Sequence, residues 1–460
     1  MKAIKPSPFR GRWHEVPDEG KKGRTMRIRF YNARILTMKE NAEIFEGELW
    51  TSDDKIIYCD TTDQITDYYK ENPEVMLVFD REIDCKGNLL MPGFKNAHTH
   101  SGMTLMRSRA DDLPLAEWLN EQVFPVEAKL TAEDIYYLTQ LAILEYLDGG
   151  ITSIFDMYLT PESIADACRD AGMRCVQVGA ANNFSQSAEF VEEMYNKING
   201  KDEYNSYIIG FHAEYTCSKE LLQKFSDLAH KYKAPVFTHI AETAPEVAGC
   251  RERYGMSPLQ LLDSLGMFDY GGGGYHLVHT DEADMDILKK RGMYAVTNPG
   301  SNTKLASGIA PINDYLKRGI PVAIGTDGPG SNNCLNMFRE MFLVTGLGKL
   351  RENDAACIDA IEVLKMATVN GAHAMGLKDS DCLEAGKLAD LIMIDMSQPN
   401  MHPVNNIAKN IVYSGSNSNV ILTMIGGVIR YEKGEYNIGR SSQEIYSKVE
   451  EIKDRIYKEL

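Results

Sequence analysis

The sequence predicts an α/β fold: a (β/α)8 barrel of the TIM type carrying a small all-β unit drawn from both ends of the chain. Three observations carry that prediction. From residue 90 onward, eight short apolar strand segments alternate with helical patterns, as in a parallel sheet wrapped by helices. Over 26–90, and again over 383–440, strand and turn texture runs without that alternation. Six of the ten histidines (98, 100, 212, 239, 276 and 279) fall at or near the C-terminal ends of the predicted barrel strands, the rim where such barrels build their sites.

Residues 1–25 are polar and rich in Pro, Gly, Lys and Arg, and read as an irregular arm. The pieces MRIRFYNARILTM (26–38), EIFEGELW (43–50), KIIYCD (55–60) and VMLVFDREIDC (75–85) are rich in β-branched and aromatic residues and are broken by polar turns. They read as strands of a sheet that buries one face, with TTDQITDYYKEN the one stretch of helical period among them. The barrel strands read as FKNAHTH (94–100), ITSIFDMY (151–158), CVQVGA (175–180), YIIGFHAEY (207–215), VFTHIAE (236–242), YHLVHT (275–280), YAVTNP (294–299) and VAIGTDG (322–328). Of the intervening helices, TAEDIYYLTQLAILEYLDGG opens on a Thr131 cap with an acidic first turn and stops at Gly149-Gly150. A doubly wound open sheet is the competing topology, but no G-x-G-x-x-G follows the first strand.

IDAIEVLKMATVNGAHAMGL reads as one further helix, after which strands return in KLADLIMIDM (387–396), NIVYSG (410–415) and VILTMIGGVIRYEKGEY (420–436). They complete the unit begun before the barrel, so the β domain is discontinuous, 26–90 with 383–440, around a barrel over 91–382. In the last segment, 441–460, Ile445, Val449, Ile452 and Ile456 share one helical face, expected to dock on the surface or on a partner subunit.

A hydrophobic content of 43% and a charged content of 25% are those of a soluble globular protein. The formal charge of −17, from 49 basic and 66 acidic residues, argues against nucleic acid or an anionic membrane as partner. Nine scattered cysteines, never spaced C-x-x-C, point away from a disulfide framework and toward a reducing compartment. The N-terminus lacks the apolar stretch of a signal peptide, and no run reaches the ~18 apolar residues of a membrane span. A cytoplasmic protein is expected.

The chemistry is read from the rim. His98 and His100 lie two apart on a strand, so both imidazoles face one spot, which suits a borderline metal such as zinc. His239 ends the fifth strand and is the natural third ligand, and Asp327 ends the eighth and offers a carboxylate. Three histidines and one carboxylate, with room for water, describe a catalytic metal site. Glu242, three past His239, reaches that pocket only if the chain curls off the strand end, where it could carry protons. His276 and His279 are three apart and cannot both face the centre; spacing does not choose between them. The fourth strand offers His212 and Glu214 but no lysine to bridge a second metal, so one metal per chain is expected.

Several blocks in order, PGFKNAHTHSGMTLMR, LAEWLNEQVFPVEAKLT, THIAET, HLVHTDE, NPGSNTKLASGIAP, GTDGPGSNN and GKLADLIMID, resemble the amidohydrolase superfamily, in its aminohydrolase branch of methylthioadenosine/S-adenosylhomocysteine deaminase type. The resemblance implies a distorted barrel with a β-sandwich made from both chain ends. It places the metal ligands at His98, His100, His239 and Asp327, the proton-shuttling glutamate at Glu242, and the strand-six histidine at His276, leaving His279 structural. Asp327 is then also catalytic, taking the proton of the attacking water. Substrate contacts fall on Glu127, His212, Ser331 and Trp118. The implied activity is hydrolytic deamination of an amino-substituted nitrogen heterocycle (purine, adenosine-like, pterin or related), with one divalent metal, Zn2+ by default and Fe2+, Mn2+ or Ni2+ tolerated by the same ligands. A small-molecule substrate and a homo-oligomer are the implied partners. The rivals are the same machine with another leaving group, as in triazine chlorohydrolases or cyclic amidohydrolases, and a metal-binding protein without catalysis.

The chain also departs from that pattern. Where relatives acting on S-adenosylhomocysteine place an arginine after the third strand, this chain has Gly179, and no arginine occurs between Arg174 and Arg251. The missing guanidinium fork argues against a substrate with an amino-acid tail.

Overall fold

The computed structural model describes residues 25–41, 43–72, 78–109 and 111–459. The expected arm, apart from its last residue, lies outside them, as does part of the piece 75–85. Among the described residues, five strands precede the barrel: β1 Arg27–Ile35, β2 Phe45–Ser52, β3 Lys55–Asp60, β4 Arg81–Asp84 and β5 Leu89–Pro92. Eight parallel strands follow: β6 Phe94–Thr99, β7 Ile151–Asp156, β8 Arg174–Val178, β9 Asn205–Ala213, β10 Val236–Ile240, β11 Gly272–His276, β12 Tyr294–Thr297 and β13 Val322–Ile324. These pair in sequence order from β6 to β13. The two ends meet where Asp327 N–H donates to His98 O at 2.9 Å and Thr326 N–H donates to Asn96 Oδ1 at 2.9 Å. The barrel is thus nearly closed, and its seam runs directly beneath the predicted ligands.

The interior is filled by alternate strand residues, among them Ala97, Phe155, Val176, Phe237, Tyr275 and Val296. The last strands, β14 Leu391–Ile394, β15 Val420–Ile425, β16 Val428–Glu432 and β17 Glu435–Tyr436, join β1–β5 in one nine-stranded mixed sheet. The joint between the two chain ends is the antiparallel pairing of β14 with β5, Leu391 opposite Pro92. A buried ion pair fastens this sheet to the foot of the barrel: Arg174 donates to both oxygens of Asp390 at 2.8 and 3.1 Å, and Gly426 N–H donates to the same carboxylate at 2.7 Å.

The helix at Ala132–Asp148 begins as expected, with Thr131 and Asp134 forming a reciprocal capping box. Two expectations fail. NIVYSG is not a strand: Ile407–Ser414 is a helix, because Asn406 caps it by accepting from Lys409 N–H and the helix turns Ile411 and Val412 into the core. The single helix expected over IDAIEVLKMATVNGAHAMGL is two, Ala360–Ala367 and Val369–Ala374, broken at Thr368 where ψ is −88°. The terminal helix Ser442–Glu459 buries Ile445, Val449, Ile452 and Ile456 against Ala132–Asp148 of the same chain, so that face is not free for a partner. Its Tyr457 hydroxyl donates to Leu105 O, and the Arg109 guanidinium lies 3.9 Å above the Tyr457 ring. The helix therefore braces the loop that follows His98 and His100. No helix among the described residues is long and apolar enough to cross a membrane.

Candidate active site

The first two ligand candidates come from the end of β6. His98 is fully buried and stacks on Tyr275, with ring centroids 3.7 Å apart. His100 follows one step beyond the strand. His239 comes from β10, and Asp327 from the turn after β13. One ligand atom from each of the four lies within 4.8 Å of the others. Gly325 permits that approach: a Cβ there would sit 2.7 Å from the backbone nitrogen of His98 and 2.4 Å from Asn298 Oδ1.

The hydrogen-bond pattern fits a cation at the centre. His239 Nδ1 lies 2.7 Å from His212 O, and His100 Nδ1 lies against Met157 O. Each Nδ1 must carry its proton to donate to a carbonyl, which leaves the Nε2 lone pair facing the other ligands. His239 Nε2 and His98 Nε2 stand 3.1 Å apart, a contact between ring nitrogens that only a shared proton or a metal cation relieves. Burial pushes His98 down to about 3 and so favours its neutral, ligating form. Burial opposes ionisation of Asp327, but the imidazoles of His100 and His98 against its carboxylate prevail and hold it well below the usual carboxylate range. The donor set fits one divalent metal.

Glu242 and His276 complete the floor. Ala241 adopts φ 53°, the left-handed region, and this turns the chain off β10 so that Glu242 faces the ligands. The Glu242 carboxylate accepts from Ser307 Oγ at 3.4 Å and lies 3.8 Å from His276 Nε2. Burial raises its pKa, which favours the protonated form a proton donor needs. His276 Nε2 is 3.9 Å from Asp327 Oδ2, and its Nδ1 is 2.8 Å from Asn302 Oδ1. His276 itself sits at φ 73° and Asp327 at φ 60°, so three of the residues that shape the floor are held in a left-handed conformation. His279 points away, with Nε2 2.7 Å from Ser307 O, and so holds the loop that carries the Ser307 hydroxyl to Glu242.

A cavity of about 600 Å³ opens above this floor, a size suited to a small organic ligand. Trp118, Glu127 and His212, the substrate contacts implied by the resemblance, line it. Burial pushes Glu127 up to about 7, with the adjacent Tyr158 hydroxyl opposing. Ser331 does not line it. The 328–333 turn folds Ser331 back beneath Asp327, where its hydroxyl donates to Oδ2 at 2.9 Å, so it supports the carboxylate instead of meeting a ligand. Sequence reasoning also missed Asn302, Ser307, Tyr275 and Glu246. Of these only Glu246 left a legible signal: Thr243-Ala-Pro-Glu246 is a capping-box pattern, and Glu246 accepts from the N–H groups of 241, 242 and 243.

The chain is similar to known proteins. The amidohydrolase family matches over residues 89–430. A 5-methylthioadenosine/S-adenosylhomocysteine deaminase of Caldanaerobacter subterraneus subsp. tengcongensis is 38% identical over 418 residues, covering 89% of this chain and 94% of its own. The structure of an adenosine deaminase from Xanthomonas campestris with bound zinc superposes with a TM-score of 0.86 at 30% identity, covering 94% of this chain and 98% of that one. An atrazine chlorohydrolase from Arthrobacter aurescens, also with zinc, shares the fold with a TM-score of 0.82 at 20% identity, covering 93% and 100%. With the matched span taking in every ligand of the rim, the chain belongs to the amidohydrolase family.

Proposed function

We propose that this protein is a metal-dependent hydrolytic deaminase of an amino-substituted nitrogen heterocycle, with an adenosine-type purine nucleoside as substrate class. The observation that carries this is the grouping of Glu242, His276 and Asp327 within 3.9 Å contacts beside a complete His-His-His-Asp donor set. The names of the relatives at 30% identity and above support the same reading. His98, His100, His239 and Asp327 would hold one divalent ion, for which the zinc in related structures makes Zn2+ the first choice. Such an ion would make water an effective nucleophile at neutral pH.

The protein groups then divide the proton traffic. Glu242, protonated in its buried site, gives its proton to the ring nitrogen beside the amino-bearing carbon, which makes that carbon electrophilic. Asp327 takes one proton from the attacking water and returns it to the departing amine, and Glu242 recovers its proton from the remaining hydroxyl as the C–N bond breaks, so water and substrate become the oxo product and ammonia. His276, whose Nδ1–H donates to Asn302 Oδ1, would steady negative charge on the attacking oxygen with its Nε2 also protonated. Glu127, His212 and Trp118 contact the nucleoside from the walls. Nine free cysteines support a reducing, cytoplasmic setting. Self-association remains part of the proposal and is read directly by light scattering.

The test is ammonia release by the zinc-loaded protein across adenosine-, guanine-, pterin- and triazine-type compounds. Ammonia from a purine nucleoside supports the reading. Chloride from a chlorotriazine in its place, a ring-opened product, or one bound metal with no hydrolysis anywhere in the panel would refute it.

A further inference from the structure

The side of the β6 strand end that turns away from the cavity is held as closely as the side that carries the imidazoles. His98 and His100 look one way, so Thr99 between them looks the other, toward the helix Ala132–Asp148. There Tyr146 meets it. Tyr146 Oη lies 2.8 Å from Thr99 Oγ1 and 2.9 Å from Ser101 Oγ, and so bridges the two residues that flank His100. Ser101 N–H donates to Asp156 Oδ2 at 3.1 Å. Thr99 Oγ1 in turn donates to Asp327 O at 3.2 Å, across the seam that closes the barrel. Thr99, Ser101 and Tyr146 are all fully buried.

The protons along these hydroxyls have one arrangement. A carbonyl only accepts, so the Thr99 hydroxyl gives its single proton to Asp327 O. Tyr146 must then donate to Thr99, and Ser101 must donate to Tyr146. Burial holds the Tyr146 phenol well above its ordinary range, so it stays a protonated donor. We infer that Tyr146 is a positioning residue for the metal: its hydroxyl fixes both neighbours of His100 from behind and, through Thr99, aims a hydrogen bond at Asp327, so that donors from the first and eighth barrel strands keep one spacing. Phenylalanine in its place would leave the Ser101 O–H without that acceptor in a fully buried position and the Thr99 hydroxyl without the donor that orients it. This inference rests on the metal-binding part of the deaminase reading and adds a residue that touches neither metal nor substrate.

The test is the zinc affinity of the whole chain, read by competition with a chelating dye, beside the urea midpoint of the metal-free protein. Tyr146→Phe should weaken zinc binding by about tenfold or more, the scale on which loss of a group that orients a metal ligand is felt. Thr99→Val should weaken it at least as much, and the double variant should bind no more weakly than Thr99→Val alone, because both substitutions cut one chain of hydroxyls. Thr423→Val is the control for a merely structural loss. It removes a buried hydroxyl bond of the same kind to the same helix, Thr423 Oγ1 to Leu147 O at 2.7 Å, where that helix meets the nine-stranded sheet. It should lower the urea midpoint and leave zinc affinity within about threefold of wild type. A Tyr146→Phe protein that keeps zinc affinity within about threefold, fully additive losses in the double variant, or a control that loses zinc as Tyr146→Phe does, overturns the inference with the deaminase reading intact. Should Tyr146→Phe not fold, Thr99→Val decides on the same thresholds. A wild type that binds no divalent metal takes down both.

Discussion

Replacing Glu242 by glutamine removes a titratable proton and almost nothing else. The side chain is buried, with 5% exposure, and glutamine matches its length and volume. The backbone around it does not depend on that carboxylate, because the N–H groups of 241, 242 and 243 are held by Glu246. The amide still accepts from Ser307, so at most one weak 3.4 Å hydrogen bond is disturbed. What is lost is the acid that protonates the ring nitrogen. General acid–base help is worth about 10²–10⁴-fold, or roughly 2.7–5.4 kcal/mol of barrier. A single neutral hydrogen bond, by contrast, is worth only about 0.5–1.5 kcal/mol. Glu242→Gln should therefore lower kcat by two to four orders of magnitude while KM moves by about tenfold at most. The assay is steady-state ammonia release from an adenosine-type nucleoside, with metal content measured on the same samples by atomic emission. Turnover within tenfold of wild type at equal metal content would refute the assignment of Glu242 as the proton donor.

The other predictions concern the frame around the site. Asp148 ends the helix Ala132–Asp148, and burial pushes its carboxyl up to about 6 from 3.8, with the Tyr436 hydroxyl opposing. A raised carboxyl pKa contributes stability that is full below about 4 and is lost as pH rises through 6, so Asp148→Asn should gain on wild type at pH 8 and not at pH 4. For a half-buried group next to the negative end of a helix the gain is about 1–2 kcal/mol, read as the shift in urea midpoint at the two pH values. Ile456 is fully buried beneath the terminal helix, so Ile456→Ala should cost about 2–4 kcal/mol and speed amide exchange over 101–109, which Tyr457 braces. Exchange at wild-type rates there would show that the terminal helix does not steady the ligand loop. Chelation should abolish turnover and lower the urea midpoint, and added zinc should restore both, because three imidazoles and a carboxylate then lose their common partner.

The barrel and the His/Asp group on its rim were legible because strand geometry converts spacing into direction. His98 and His100, two apart, share a face, and a histidine or aspartate closing a predicted strand lies on the rim whatever the loops do. The terminal helix was legible for the corresponding reason at a period of 3.6. NIVYSG failed because a six-residue apolar run carries no period of its own, and the deciding residue, Asn406, lies outside it. The direction of the Ser331 side chain was not legible, because motif position fixes where a residue sits in the chain but not which way a turn faces its side chain.

Glu242 marks the deeper limit. Continued in strand geometry, a residue three past His239 would face away from it, and the carboxyl group of Glu242 would not stand beside His276. What brings it round is one backbone torsion, φ 53° at Ala241, and neither alanine nor its neighbours announce such a torsion as a glycine would. His276, Leu277 and Asp327 share that conformation at the ends of β11 and β13. Each such residue costs of order 1–3 kcal/mol and persists only where the surroundings over-determine it. Here they do. Glu246 ties down the N–H groups after Ala241, Leu277 N–H and Val278 N–H donate to the carbonyls of Ile240 and Ala241, and Asp327 N–H is fixed to His98 O across the seam. Strain at three strand ends is thus held by hydrogen bonds from neighbouring segments. The site is a property of the closed rim more than of any motif, which is why its His/Asp group could be read one strand at a time and the placement of Glu242 could not.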